Sequence, residues 1–171
     1  SPFMDIYASL SRLHMEMFGT TQRQLAAVAA KNHTHSTRNP IAQFQYPMTV
    51  EEVLNDRLVS WPLTLSMCSP ISDGAAAAIV CNEAGLKKMA QRARAIKVLA
   101  SVLRSGTERR ANDCARHLCH LGAMRAYEIA GVGPNDMSLA EVHDATAFAE
   151  IQQTENLGFC AFGEGGPLVE S

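Results

Sequence analysis

At 171 residues the chain has length for one domain with a real core and little room for two. Hydrophobic residues make up 47%, which excludes a disordered chain; 15 basic against 17 acidic side chains, with no Lys/Arg run, argue against nucleic acid or an anionic membrane as a partner. The 5 cysteines are odd in number and irregularly spaced, and no secretory signal precedes them, so a reduced, cytoplasmic setting is expected. The chain opens on Ser1-Pro2 and enters an amphipathic pattern at once. Phe3, Ile6, Tyr7, Leu10, Leu13 and Met17 fall at helical spacing, predicting a helix that faces a core and ends at Gly19. Thr21 with Gln24 is a capping-box pair for a second helix through Leu25, Val28 and Ala29. Lys31 to Tyr46, with two His, two Asn and Pro40, reads as a polar loop, in which His33 and His35 either line a ligand channel or stay solvated. Thr49 with Glu52 caps a short helix around Val53-Leu54.

Trp61-Pro62 breaks the pattern, and Leu63 to Leu65 is a short extended run. Ser69 to Gly74 is turn chemistry. Ala75 to Cys81 follows as a buried strand, with helix as the rival reading; the apolar run that contains it is too short and Ala-rich to span a bilayer. Glu83 to Ala93 is expected to be helical and Ile96 to Val102 a second strand. Asn112 to Ala130 carries an inner stripe of Ala115, Leu118, Cys119, Gly122, Ala126 and Ile129, which predicts a closely packed helix ended by Gly131 and Gly133-Pro134. Leu139 to Val142 reads as a short strand, His143-Asp144 as its exit, and Thr146 to Asn156 as a helix stopped by Gly158. A weak boundary falls near Glu83–Met89. The chain stops at Leu168 to Ser171, just after a glycine-rich turn; both ends read as cut, so a fragment is expected.

His143-Asp144 is the foremost site candidate. A helix N-terminus offers free N–H groups and a positive dipole to an oxyanion, and an imidazole there can donate a hydrogen bond or hold a water. The dipeptide alone fits better a plainer reading, in which Asp144 caps the helix and His143 packs in the strand. Cys114, His117, Cys119 and His120 lack the loop spacing of a zinc site, so no metal is expected. Gly163-Glu164-Gly165-Gly166 has no Lys-Ser/Thr after it and reads as a turn, and no Gly-x-Ser-x-Gly elbow is present.

Several stretches taken in order resemble the thiolase superfamily, in particular its sterol-carrier-protein-type branch. They are Tyr7 to Phe18, Gly19-Thr20-Thr21-x-x-Gln24-Leu25, Val28 to His33, Asn39-Pro40-x-Ala42-Gln43-Phe44, Ser69 to Ala77, Glu141-Val142-His143-Asp144-Ala145, and Glu155-x-Leu157-Gly158 with Gly163 to Gly166. The resemblance implies an α/β chain, part of a layered αβαβα fold. Residues 1–85 would be the end of the N-terminal domain with its loop region, and residues 86–171 the incomplete start of the C-terminal domain. It implies an enzyme acting on acyl-CoA thioesters of lipid or sterol type, with coenzyme A as substrate and no covalently bound cofactor. It reverses the reading of the dipeptide: His143 would hold the thioester oxyanion, with Asp144 as structural support, and Ser69 would lie beside the CoA pantetheine arm. The family's nucleophilic Cys would precede Ser1, and its Gly-His-Pro histidine would follow Ser171, so this chain alone is expected to be inactive. Pro70 departs from the family's frequent Gly; Ala145 stands where the branch often has an acid/base Cys, and Thr146 stands for Phe. Two rivals therefore stay open, a retro-aldolase of the same fold and a non-catalytic acyl-CoA or lipid-binding subunit. A homo-oligomer is expected, with a small OB-fold protein as a further partner.

Overall fold

The computed structural model describes residues 2–170. Helix α1 runs Pro2–Phe18, α2 Gln22–Ser36 and α3 Val50–Leu54; strands β1 (Leu58–Ser60) and β2 (Leu63–Thr64) form an antiparallel hairpin. Then follow the short α4 (Glu83–Leu86), α5 (Leu118–Ala130), α6 (Ala147–Asn156) and α7 (Gly165–Glu170). Helix α2 is the centre, packed against α3, α6 and α7. The core joins Leu25, Val28, Val53, Leu63, Met67, Phe148 and Ile151, all essentially inaccessible.

Both expected capping boxes form. Thr21 accepts from the Gln24 amide while the Gln24 side chain accepts from the Thr21 amide; Thr49 and Glu52 repeat the arrangement at α3. Each such cap is worth about 1 kcal/mol. The hairpin turn at Trp61-Pro62, a cis peptide bond, is tied to α1 and α2: the Arg12 guanidinium donates to the Trp61 carbonyl at 2.5 Å and Gln22 Nε2 to the Pro62 carbonyl at 2.8 Å.

Helix α1 departs from its expected face. Its buried residues are Ala8, Ser11 and His14, whereas Phe3 and Ile6 are exposed and Tyr7 and Leu10 are half-buried against the core. Small and polar groups face inward because His14 is fully partnered: Nδ1 lies 2.8 Å from Thr20 Oγ1 and Nε2 3.0 Å from Glu155 Oε2. Glu155 Oε1 accepts from the Gly165 amide at 3.0 Å, so one buried chain of bonds joins α1, α6 and α7. Its Thr–His–Glu connectivity mimics a nucleophile–base–orienter set, but all three side chains are sealed from solvent, which makes it structural.

Further sequence expectations are corrected. The polar loop begins later than Lys31, because α2 continues to Ser36 and carries His33 and His35 on its last turns. The helix expected over Glu83 to Ala93 is confined to α4, followed by a 3-10 turn at Arg92–Arg94. That over Asn112 to Ala130 divides into a 3-10 turn at Cys114–Arg116 and α5, since His117 takes an extended conformation and its ring accepts from the Cys119 amide as the cap. No residue of α5 is fully buried, so its small stripe is only half-covered. Gly163 is a turn, with φ +90°, but Gly165 and Gly166 open α7 instead of extending it.

The strands expected at Ala75 to Cys81, Ile96 to Val102 and Leu139 to Val142 do not form among the described residues. These stretches run without helix or strand pairing, and Ile79, Val80, Ile96, Val98 and Leu139 are largely exposed. A strand exists only through a hydrogen-bonded neighbour, and no described segment pairs with them in a sheet. No helix among the described residues is long and apolar enough to cross a membrane.

Candidate active site

The corner that carries His143-Asp144 is set by one contact far away in sequence. Thr146 forms an isolated antiparallel bridge with Cys68, and the Ser69 amide donates to the Ala145 carbonyl at 3.1 Å. Ser69 is thereby brought beside the residue that follows Asp144. The cap of α6 is Thr146, whose hydroxyl accepts from the Ala149 amide at 3.4 Å. Asp144 therefore does not cap the helix, because the bridge puts the extended-to-helical transition two residues later. Freed from capping, Asp144 lines two adjoining cavities. His143, the residue before it, is exposed at the same corner and lines neither.

The first cavity, of about 630 Å³, lies between the end of α2, the 37–49 loop and residues 65–70, with Ser69 and Asp144 in its lining. The second, of about 320 Å³, is bordered by Lys31, Glu141, Val142, Asp144 and Glu150. Between them α2 is fastened to α6: Lys31 pairs with Glu150, and Asn32 Nδ2 donates to Glu150 Oε2 at 2.8 Å. Desolvation raises the Asp144 carboxyl above its ordinary value and the like charge of Glu150 adds to this, against a hydrogen bond from its own backbone amide and the pull of His143 and Lys31. A carboxyl so placed can hold a proton that an ordinary surface aspartate would have lost.

None of the cysteines is disulfide-bonded. Cys68, on the wall of the larger cavity, donates to the Thr64 carbonyl at 3.4 Å, and burial pushes its thiol up. Burial also raises Cys114, and burial with the charges of Glu155 and Glu164 pushes Cys160 up to about 11. These three thiols are the opposite of activated nucleophiles. Cys114, His117, Cys119 and His120 are not gathered into a ligand set: His117 caps α5, and His120 Nδ1 lies 3.0 Å from the Asn156 carbonyl. Sequence reasoning missed Lys31, Asn32 and Glu150, since nothing local marks a cation on α2 as the partner of an acid on α6.

A family model described as "Thiolase C-terminal domain-like" matches residues 100–171. The chain is 40% identical to the benzoylsuccinyl-CoA thiolase subunit BbsB of Thauera aromatica, over 93% of this chain and 42% of that protein. It is 42% identical to an acetyl-CoA acetyltransferase of Methanothermobacter thermautotrophicus, over 98% of this chain and 44% of that protein. Sterol carrier protein 2 of Bos taurus is 35% identical over 96% of this chain and 32% of its own length. The chain belongs to the thiolase superfamily. Its α/β fold is that of a solved "Ltp2-ChsH2(DUF35) aldolase", which it matches with a TM-score of 0.74 at 25% identity over 99% of this chain and 46% of that one. This thiolase-superfamily chain spans about two fifths of the length of the first two relatives. Relatives of the acetyltransferase kind match it at least as well as the sterol-carrier kind.

Proposed function

We propose that this chain supplies the loop region and the His143-Asp144 corner of a thiolase-like enzyme that makes or breaks a carbon–carbon bond in acyl-CoA thioesters. Residues 1–85 would close the first domain and residues 86–171 open the second; the family match from residue 100 onward supports that division. The observation that carries the reading is the Cys68–Thr146 bridge, because it sets Ser69 and Asp144 on one cavity beside the N-terminus of α6. Negative charge develops on the thioester or ketone oxygen in either direction of the reaction. The N-terminus of α6, whose Ala147 lines the larger cavity, would hold that charge, and His143, exposed at the corner outside the cavity, would have to turn inward to join it. Asp144 would pass a proton, standing next to the position where the sterol-carrier branch often has an acid/base Cys and this chain has Ala145. Ser69 would meet the pantetheine arm. Coenzyme A enters as substrate, with no covalently bound cofactor. The raised thiols of Cys68, Cys114 and Cys160 support the expectation that this chain alone does not carry out thiolysis.

A retro-aldol cleavage is the second reading, favoured by the match to a solved aldolase. That aldolase is named together with a DUF35 component, which supports the expected partner protein here. A cytoplasmic site of action fits the free cysteines.

Titration of the chain with acetyl-CoA, followed by amide NMR, is expected to give saturable shifts at Ser69, His143 and Asp144. Absence of shifts at all three would overturn the reading. In an enzyme that contains this chain with a full catalytic set, His143→Ala is expected to lower turnover by roughly two orders of magnitude, with coenzyme A affinity little changed. A loss below threefold would remove His143 from the mechanism.

A further inference from the structure

The larger cavity has a floor that the thioester chemistry does not use. His33, on the last turns of α2, stacks on Phe44 with ring centroids 5.9 Å apart and planes 21° apart. Tyr46 closes the set, 5.2 Å from His33 and 5.8 Å from Phe44. The imidazole Nδ1 lies 3.3 Å from the Tyr46 carbonyl, which pins the 37–49 loop onto α2 and fixes the three rings as one shelf. All three rings line the cavity, and Phe44 and Tyr46 keep exposed surface. Rings held part-open in this way present faces and edges on which another flat group can stack.

The charge around the shelf has one sign. Glu52 and Asp56 line the cavity as carboxylates, and no Lys or Arg does. Glu52 is held below its ordinary value by hydrogen bonds from Thr49, and Asp56 below its own chiefly by the Ser66 hydroxyl, so both stay ionised at neutral pH. A phosphate here would meet repulsion and no donor of opposite charge. The nucleotide end of coenzyme A would thereby be turned away from this space. A volume of about 630 Å³ suits an organic group of moderate size.

Resting on the acyl-CoA reading above, we infer that this cavity is the acyl subsite and that the His33–Phe44–Tyr46 shelf selects an uncharged, ring-bearing acyl group over a linear one. Ser69 and Asp144 line the same cavity, and the thioester carbon would lie beside them if the ring stacks on the shelf. Selection comes from stacking and from rejection of anions, so both ring and neutrality are required.

The test uses thioesters of N-acetylcysteamine, which carry no phosphate. The benzoyl thioester is compared with the hexanoyl thioester, and coenzyme A is titrated separately. The benzoyl compound is expected to shift the ring resonances of His33, Phe44 and Tyr46 saturably and to bind roughly fivefold tighter than the hexanoyl compound. Phe44→Ala and, independently, Tyr46→Leu should abolish that preference with unchanged far-UV circular dichroism; both side chains are exposed loop groups whose loss leaves the core intact. Equal or tighter binding of the hexanoyl compound, or benzoyl binding without ring shifts, overturns the subsite. Coenzyme A should bind without moving the three rings. If benzoyl selection holds and coenzyme A does not bind at all, the subsite stands and the acyl-CoA reading falls; if coenzyme A binds and the ring preference is absent, the reverse holds.

Discussion

Asp144 shows how one backbone contact redirects a side chain. Asp and Thr are both good cap residues, so the sequence Asp144-Ala145-Thr146 offers two starts for the same helix. The Cys68–Thr146 bridge chooses the later one, and the carboxylate is left facing two cavities beside Glu150. Its raised pKa has a definite consequence for stability. A carboxyl whose folded value lies above its unfolded value of 3.8 favours folding while protonated. That contribution is complete below pH 3.8 and is lost as pH rises through the raised folded value. Asp144→Asn is therefore expected to raise the Tm at neutral pH, and the difference from the native chain should shrink as the pH falls toward 3.8. In scanning calorimetry, a lower Tm for the variant at neutral pH would place Asp144 in a favourable charge pair, and a pH-independent difference would mean that folding does not shift its carboxyl. His143 and Ser69 were legible only through the ordered resemblance, because the local signals give a turn at Ser69 and a helix start after His143-Asp144. Lys31, Glu150 and the buried pair His14–Glu155, separated by 141 positions, were not, since each depends on which helices meet.

At the level of elements, cap and stop signals read locally are right, whereas helix extents, buried faces and strands, which depend on neighbours, are not. The two Thr-x-x-Gln/Glu boxes, the stop at Gly19 and the stop at Gly158 all form, because cap and glycine chemistry acts within a few residues. The inward face of α1 failed because a width of apolar residues does not say which part finds a partner. The glycine cluster failed for a related reason: its use is close approach, not a turn. A Cβ at Gly166 would lie 2.5 Å from Gln24 Oε1 and 2.9 Å from Gln24 Cδ. Gln24 cannot yield freely, since it accepts from the Thr21 amide at 3.0 Å and donates to Glu170 at 3.1 Å. Gly166→Ala should thus break the α2 capping box and the α2–α7 contact together. A loss of about 1–3 kcal/mol in urea unfolding is expected, the usual range for overpacking combined with a lost cap. A loss below about 0.5 kcal/mol, the range of ordinary surface changes, would show that Gln24 moves aside without consequence.

Across the whole molecule, order is concentrated around α2 while a long middle stretch carries apolar side chains into solvent. Ile71, Ile79, Val80, Ile96, Val98, Leu99 and Leu103 are each more than half exposed. Covering a Val, Leu or Ile side chain of this kind gains roughly 1.5–3 kcal/mol, and extended backbone beside it gains hydrogen bonds as well. So large an apolar area is not held in water at no cost. The solved aldolase overlies 99% of this chain, and among the described residues no strand pairs with these segments to complete a sheet. The chain is therefore expected to associate through residues 71–103, as dimers or larger species by light scattering at micromolar concentration. Association should strengthen with sulfate, which favours apolar burial. Ile79→Lys together with Leu99→Lys should lower the mean mass without changing the far-UV circular dichroism, because neither residue belongs to a helix or to the core. A compact monomer at micromolar concentration, unaffected by sulfate, would mean that the middle stretch folds back onto the α2 core in solution and that its apolar residues are covered from within.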